Sequence, residues 1–230
     1  MPEAQRAARD ELARRLAAEG VGSALLLATI VGSGAMAERL AGGNAALALL
    51  GNTLPTAAML FVLIVTFEPV SGAHFNPVVS AIFAARKDLP YARLPLYWLV
   101  QIGGAVTGAI VAHAMFARPL LSISTIARSG GAQWLSEAVA TFGLVVTILA
   151  TLGRSTSAAA AAIGLYIGAA YWFTASTSFA NPAVTIARAF TDTFTGIAPA
   201  DAPAFIAAQV AGGAAAALFC RWAIRSPGDP

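Results

Sequence analysis

The sequence predicts an all-α membrane protein: six transmembrane helices plus two re-entrant half-helices, arranged as inverted three-span repeats. Three observations lead there. The 230 residues are 58% hydrophobic and only 11% charged, whereas a soluble domain carries about 25% charged residues. Six apolar runs approach the ~20 residues that a bilayer-crossing helix needs. Two Asn-Pro dipeptides stand at matching places in the two halves of the chain.

The six runs lie at 17–37, 47–69, 92–116, 132–153, 158–178 and 203–223. The first is too long for a signal peptide, and no cleavage pattern follows it. Residues 1–15, with Arg6, Arg9, Arg14 and Arg15, form a charged arm expected to be a solvated tail on the cytoplasmic side. Residues 16–225 then make one transmembrane domain, with repeats at about 16–116 and 132–225. The net charge of +3 reflects a small arginine excess and gives no basic surface for nucleic acid. One cysteine, Cys220, excludes an intrachain disulfide, and with only His74 and His113 beside it a structural zinc site is not expected. No cofactor or metal is expected.

Lys and Arg in the short connections set orientation. With the N-terminus inside, the inner segments hold Arg6, Arg9, Arg14, Arg15, Arg86, Lys87, Arg93, Arg154, Arg221 and Arg225; the outer ones hold Arg39, Arg118, Arg128 and Arg188. Both termini are therefore expected in the cytoplasm.

Two connections depart from simple loops. Asn76-Pro77 is followed by Val78-Val79-Ser80-Ala81-Ile82-Phe83, and Asn181-Pro182 by Ala183-Val184-Thr185-Ile186-Ala187. Each stretch is too short to span. Asn caps helix N-termini and Pro suits the first helical position, so each reads as a half-helix beginning at Asn. Broken segments are tolerated at membrane depth only where protein buries them or they line a wet cavity.

The halves repeat the order Glu, Asn-Pro, Gln. Glu19 opens the first span and Glu137 the fourth; Gln101 lies in the third and Gln209 in the sixth. Three spans per half is an odd number, so the halves are inverted. The two Asn-Pro ends can then meet around a pseudo-two-fold axis. Two half-helix N-termini facing one pore oppose cations. The amides of Asn76 and Asn181 offer N–H groups to the oxygens of a neutral solute.

At these residues the chain resembles the aquaporin and aquaglyceroporin (major intrinsic protein) family. Ser71-Gly72-Ala73-His74-Phe75-Asn76-Pro77-Val78 and Asn181-Pro182-Ala183 are similar to its paired NPA boxes, the first reading NPV. The resemblance implies a homotetramer with a pore in each subunit, lying in the bacterial inner membrane. It implies that Glu19 and Glu137 hold the re-entrant loops. In the family an arginine directly follows the second box; here that position is Val184. Counting along the family pattern puts the other constriction positions at Thr56, Ala169 and Ser178, all small and uncharged. The run from Asn181 to Arg188 resembles the bacterial arsenic-resistance aquaglyceroporins, in which valine replaces that arginine. The subgroup implies permeation by arsenite and other metalloid acids and by methylated arsenicals, beside glycerol, urea and water.

Other residues leave alternatives. His74 either lines the inner vestibule or bonds the local backbone. Arg188, one turn beyond Val184, places a cation at the outer vestibule or pairs with Asp192 at i+4. His113 reads as an interfacial side chain, and Glu68 as a solvated vestibule residue. Gly104 with Gly108, and Gly164 with Gly168, are spaced for close helix approach. Two other readings compete with a passive channel for small neutral solutes: an ion-coupled secondary transporter, which would need carboxylates facing the substrate, and a plain water or glycerol channel without arsenic. No HExxH, paired intramembrane aspartates or Ser-His pairing supports an enzyme.

Overall fold

A computed structural model describes residues 3–224. Its helices run α1 Glu3–Leu40, α2 Ala45–Ser71, α3 Pro77–Ala85, α4 Leu94–Met115, α5 Gly131–Thr151, α6 Thr156–Phe173, α7 Pro182–Arg188 and α8 Ala202–Ala223, with one 3-10 turn at Tyr91–Arg93 before α4. Six of these are long and apolar enough to cross a membrane. The charged arm continues α1 as helix, and its side chains from Gln5 to Glu11 are exposed. Arg225 and the expected domain limit at residue 225 lie outside the described residues.

The helices pair within each repeat in the same way. α1 packs on α4 and α2; α5 packs on α8 and α6. Small residues allow this. A Cβ on Gly104 would lie 2.2 Å from the Gly20 carbonyl oxygen, and one on Gly212 would lie 2.1 Å from that of Ala138. The backbones touch, as small residues permit between helices in lipid. Gly164 approaches the Ala57 carbonyl in the same manner, while Gly168 makes an ordinary contact.

The half-helices α3 and α7 meet at their N-terminal ends, and each packs on the last long helix of both repeats, α4 and α8. α3 runs out to one face of the bundle (the α3 face) and α7 to the other (the α7 face). Exposed apolar side chains such as Leu99, Leu165 and Leu218 cover the outside, as a lipid-facing surface requires.

The fifth apolar run ends earlier than expected, at Phe173 rather than 178. Both the amide and the hydroxyl of Thr174 bond the Ala170 carbonyl and close the helix. The chain then turns through positive φ at Thr177, Ser178 and Ala180. The first repeat does the same at Ala73 and Phe75, each 105 positions before Ser178 and Ala180. Such conformations cost a non-glycine residue about 1 kcal/mol or more, so the surroundings must hold them.

Candidate functional site: a cavity bounded by two re-entrant segments

Two buried carboxylates hold these segments. Glu19 accepts hydrogen bonds from the amides of His74 (2.9 Å) and Phe75 (2.7 Å) and from the Ser71 hydroxyl (2.7 Å). Glu137 accepts from the amides of Phe179 (2.8 Å) and Ala180 (2.9 Å). A glutamine completes each set. Gln101 donates to Glu19 (2.8 Å) and to the Ser80 hydroxyl (2.8 Å). Gln209 donates to Glu137 (2.6 Å) and to the Thr185 hydroxyl (2.8 Å). A buried carboxylate is tolerated when hydrogen bonds occupy its oxygens, and these oxygens are occupied by the loops.

The asparagines are caps with a second task. Asn76 Oδ1 accepts from the Val78 amide (3.0 Å), and Asn181 Oδ1 from those of Ala183 (2.9 Å) and Val184 (3.3 Å). Pro77 and Pro182 occupy the first helical turn, where a missing N–H is harmless. Each Nδ2 crosses to the opposite repeat: Asn76 donates to the Ala180 carbonyl and Asn181 to that of Phe75, both at 2.8 Å. An amide nitrogen carries two hydrogens. One closes this reciprocal lock, and the second is free for another acceptor.

A cavity of about 210 Å³ is lined by both asparagines. It opens on the α3 face between exposed Glu68 and Arg154 and runs past His74, Phe83 and Val79 to the asparagines. Beyond them it reaches Thr56, Tyr171, Ser178, Phe179 and Val184. His74 is fixed by Ser80 (Nδ1 to Oγ, 3.1 Å) and stacks on Phe83 with ring centroids 4.5 Å apart. Pro77, Val78, Pro182 and Ala183 are buried behind the asparagines, with Val78 packed toward α5 and α8 and Ala183 in the cluster that contains Val184.

Three expectations need correction. Ala169 is exposed on the outer side of α6 and does not line the cavity. The lining face of α6 is Thr156, Ala159, Ile163, Ile167 and Tyr171, spaced by about one turn, and Tyr171 stands where Ala169 was expected. Arg188 makes no ion pair with Asp192. Asp192 instead accepts from the amide (2.8 Å) and hydroxyl (3.0 Å) of Thr125, which hold its carboxyl below the usual range. Arg188 turns inward, donates from Nε to the Thr195 carbonyl, and lies over the Phe179 ring. His113 is buried rather than interfacial, bonded to the Leu120 carbonyl (2.9 Å) and the Thr191 hydroxyl (2.7 Å).

Phe179 and Tyr171, which line the cavity, were missed by sequence reasoning. Trp98 donates from Nε1 to the Pro77 carbonyl (3.0 Å) and so ties α4 to α3. The helical spacing of Ala159, Ile163, Ile167 and Tyr171 was a readable signal for the cavity face. The 105-residue offset that carries His74 onto Phe179 was another.

Inverted three-helix repeats with two half-helices capped by reciprocally bonded asparagines define a multi-pass membrane channel. Residues 6–178 match the Major intrinsic protein family. The chain is 50% identical over 215 residues to aquaglyceroporin AqpS of Rhizobium meliloti (strain 1021), covering 94% of this chain and 92% of that protein. It is 32% identical to aquaporin NIP2-3 of Zea mays over 67% of this chain and 54% of that one. The crystal structure of the aquaglyceroporin from Plasmodium falciparum shares the fold, with a TM-score of 0.70 at 21% identity over 92% of this chain and 95% of that chain. The chain belongs to the major intrinsic protein family, and it is a channel rather than an enzyme.

Proposed function

We propose that the protein is a passive channel for small neutral solutes: glycerol, urea, water, and metalloid acids such as arsenous acid, with methylated arsenicals. The observation that carries this reading is the asparagine pair, which presents two N–H donors at one cavity while its oxygens are spent on capping. A solute with several hydroxyls can exchange water for these donors at little cost. A coupled transporter would need a carboxylate free to bind a coupling ion. Glu19 and Glu137 are instead saturated by loop amides and glutamines, and Glu68, the third acid, is exposed at the cavity opening, where it accepts from the Thr156 hydroxyl (3.1 Å).

The metalloid part rests on Val184, with Thr56 and Ser178 beside it. Valine leaves an apolar wall where an arginine would add bulk and several donors. Arsenous acid is uncharged near neutral pH and carries three hydroxyls, so charge does not exclude it. The name of the Rhizobium relative, an aquaglyceroporin, supports a solute-conducting member. We further propose a homotetramer in the bacterial inner membrane with both termini cytoplasmic, on the Lys and Arg asymmetry of the connections.

The test is solute flux into liposomes containing the protein. Vesicles should shrink and re-swell in glycerol, urea and arsenite gradients faster than empty ones, at rates linear in solute concentration. Saturation at low concentration, or a need for an ion gradient, contradicts the reading.

A further inference from the structure

The pseudo-two-fold relation carries Asn76 onto Asn181, Ser80 onto Thr185, His74 onto Phe179 and Phe83 onto Arg188, always by 105 positions. The contacts repeat with the numbering. His74 stacks on Phe83 at 4.5 Å, and Arg188 Cζ lies 3.4 Å from the Phe179 ring centroid. His74 and Phe83 line the way to the asparagines on the α3 face. The same operation puts Phe179 at the cavity wall on the α7 side, with Arg188 buried against it.

Arg188 is an unusual occupant of that place. It is 1% exposed, and its Nη1 has no hydrogen-bond partner. Among the described residues it forms no ion pair. Nε is anchored to the Thr195 carbonyl, and Phe179 supports the guanidinium face through a cation–π contact. Nearby acids are engaged elsewhere: Asp192 with Thr125, Asp201 with the Arg128 amide (2.7 Å). Arg128, whose Cζ lies 5.0 Å from the same ring, spends its donors on the carbonyls of Gly196, Ser176 and Phe194. Arginine carries its charge near neutral pH. A buried cation without a carboxylate is costly to keep, and the ring it lies over, Phe179, lines the cavity.

We propose that Arg188 is the charge-selecting residue of this channel: a fixed cation one turn beyond Val184, held behind the cavity-lining Phe179, whose field excludes cationic solutes. This rests on the solute-channel reading above. Val184 then leaves the narrow point apolar without leaving the path uncharged.

The experiment measures methylammonium and glycerol permeability on the same proteoliposomes. Wild-type vesicles no faster than empty ones in glycerol would defeat the channel reading itself, before any variant is compared. Given a wild-type glycerol flux, Arg188→Met should raise the methylammonium-to-glycerol ratio by at least about tenfold, since a unit charge a few ångströms from the path is removed. Arg188→Lys keeps the charge and should stay within about threefold of wild type. If Arg188→Met does not reach the membrane, neutral Arg188→Gln is read in the same way. The proposal is overturned if the neutral variant keeps the wild-type ratio at equal glycerol flux, or if Arg188→Lys leaks methylammonium as much as the neutral variant.

Discussion

The two re-entrant segments share one scaffold and differ at their mouths. In both, a glutamate from the first long helix of the repeat gathers consecutive loop amides, a glutamine from the last helix donates to that glutamate, and an asparagine crosses to the opposite loop at 2.8 Å. The residues that face outward from this frame are unlike. The α3 side offers a histidine on a phenylalanine near Glu68 and Arg154; the α7 side offers a phenylalanine under an arginine, with a second arginine over the same ring. The difference separates two demands. Buried backbone polar groups must be satisfied identically in both repeats, while side chains at the mouths are free to set what passes.

The largest effects should come from breaking the frame. Glu19→Ala strands two amides, the Ser71 hydroxyl and the Gln101 amide; Glu137→Ala strands two amides and the Gln209 amide. At about 1–3 kcal/mol for each unsatisfied group, both should prevent a folded channel, Glu19→Ala the more completely. Thermal unfolding and gel filtration in detergent report this; equal stability of Glu19→Ala and wild type would contradict the loop-holding role.

Helix contacts come next. Gly104→Ala and Gly212→Ala each push a Cβ into a backbone carbonyl of the neighbouring helix and should each cost about 1–3 kcal/mol. Gly103→Ala meets nothing within 4 Å and should stay within about 0.5 kcal/mol of wild type. If all three unfold alike, the symmetric close approach is not what the glycines serve.

At the mouth of the second repeat, Val184→Arg should lower the glycerol-to-water and arsenite-to-water permeability ratios by roughly tenfold, the scale of one to two kcal/mol of added barrier. Thr56→Phe should add to that bias. Stopped-flow light scattering on the same vesicles gives both rates, and an unchanged ratio in a folded Val184→Arg removes Val184 from the constriction.

The smallest expected effect concerns Asp192. Its carboxyl titrates below the ordinary value because Thr125 bonds the charged form. The bond therefore stabilises the α7-face connections above an unfolded-state pKa of about 4 and is lost as pH falls through the lower folded value. Hydrogen exchange at residues 123–126 should lose protection only in that acid window, and Asp192→Asn should show reduced protection already at neutral pH.

Most of the fold was legible because its constraints are local or periodic. Apolar runs give spans, Asn-Pro gives a capped half-helix, and the order Glu, Asn-Pro, Gln gives the inversion. The failures fall where an irregular loop lies between the counted residue and its reference. Ala169 was placed by counting back from Asn181 across residues 174–180, whose positive-φ turns fit no helical period. Thr174 closes α6, and the face presented to the cavity belongs to Tyr171. Arg188 and Asp192 stand four apart, but α7 ends at Arg188. The i+4 rule fails beyond it, and Thr125, distant in sequence, takes the carboxylate. His113 is buried for the same kind of reason: the 189–201 connection folds back over it and supplies Thr191.

The central claim is that neutral solutes cross between the two asparagine amides. Its most direct test is glycerol permeability of Asn76→Asp, Asn181→Asp and the double variant, normalised to protein in the vesicle. Each single change removes the crossing donor and sets a negative charge against the opposite carbonyl. The two crossing bonds are equal in length, so the single variants should lose flux by similar factors, about tenfold or more, and the double should lose no less. Wild-type glycerol flux in either folded single variant would contradict the account.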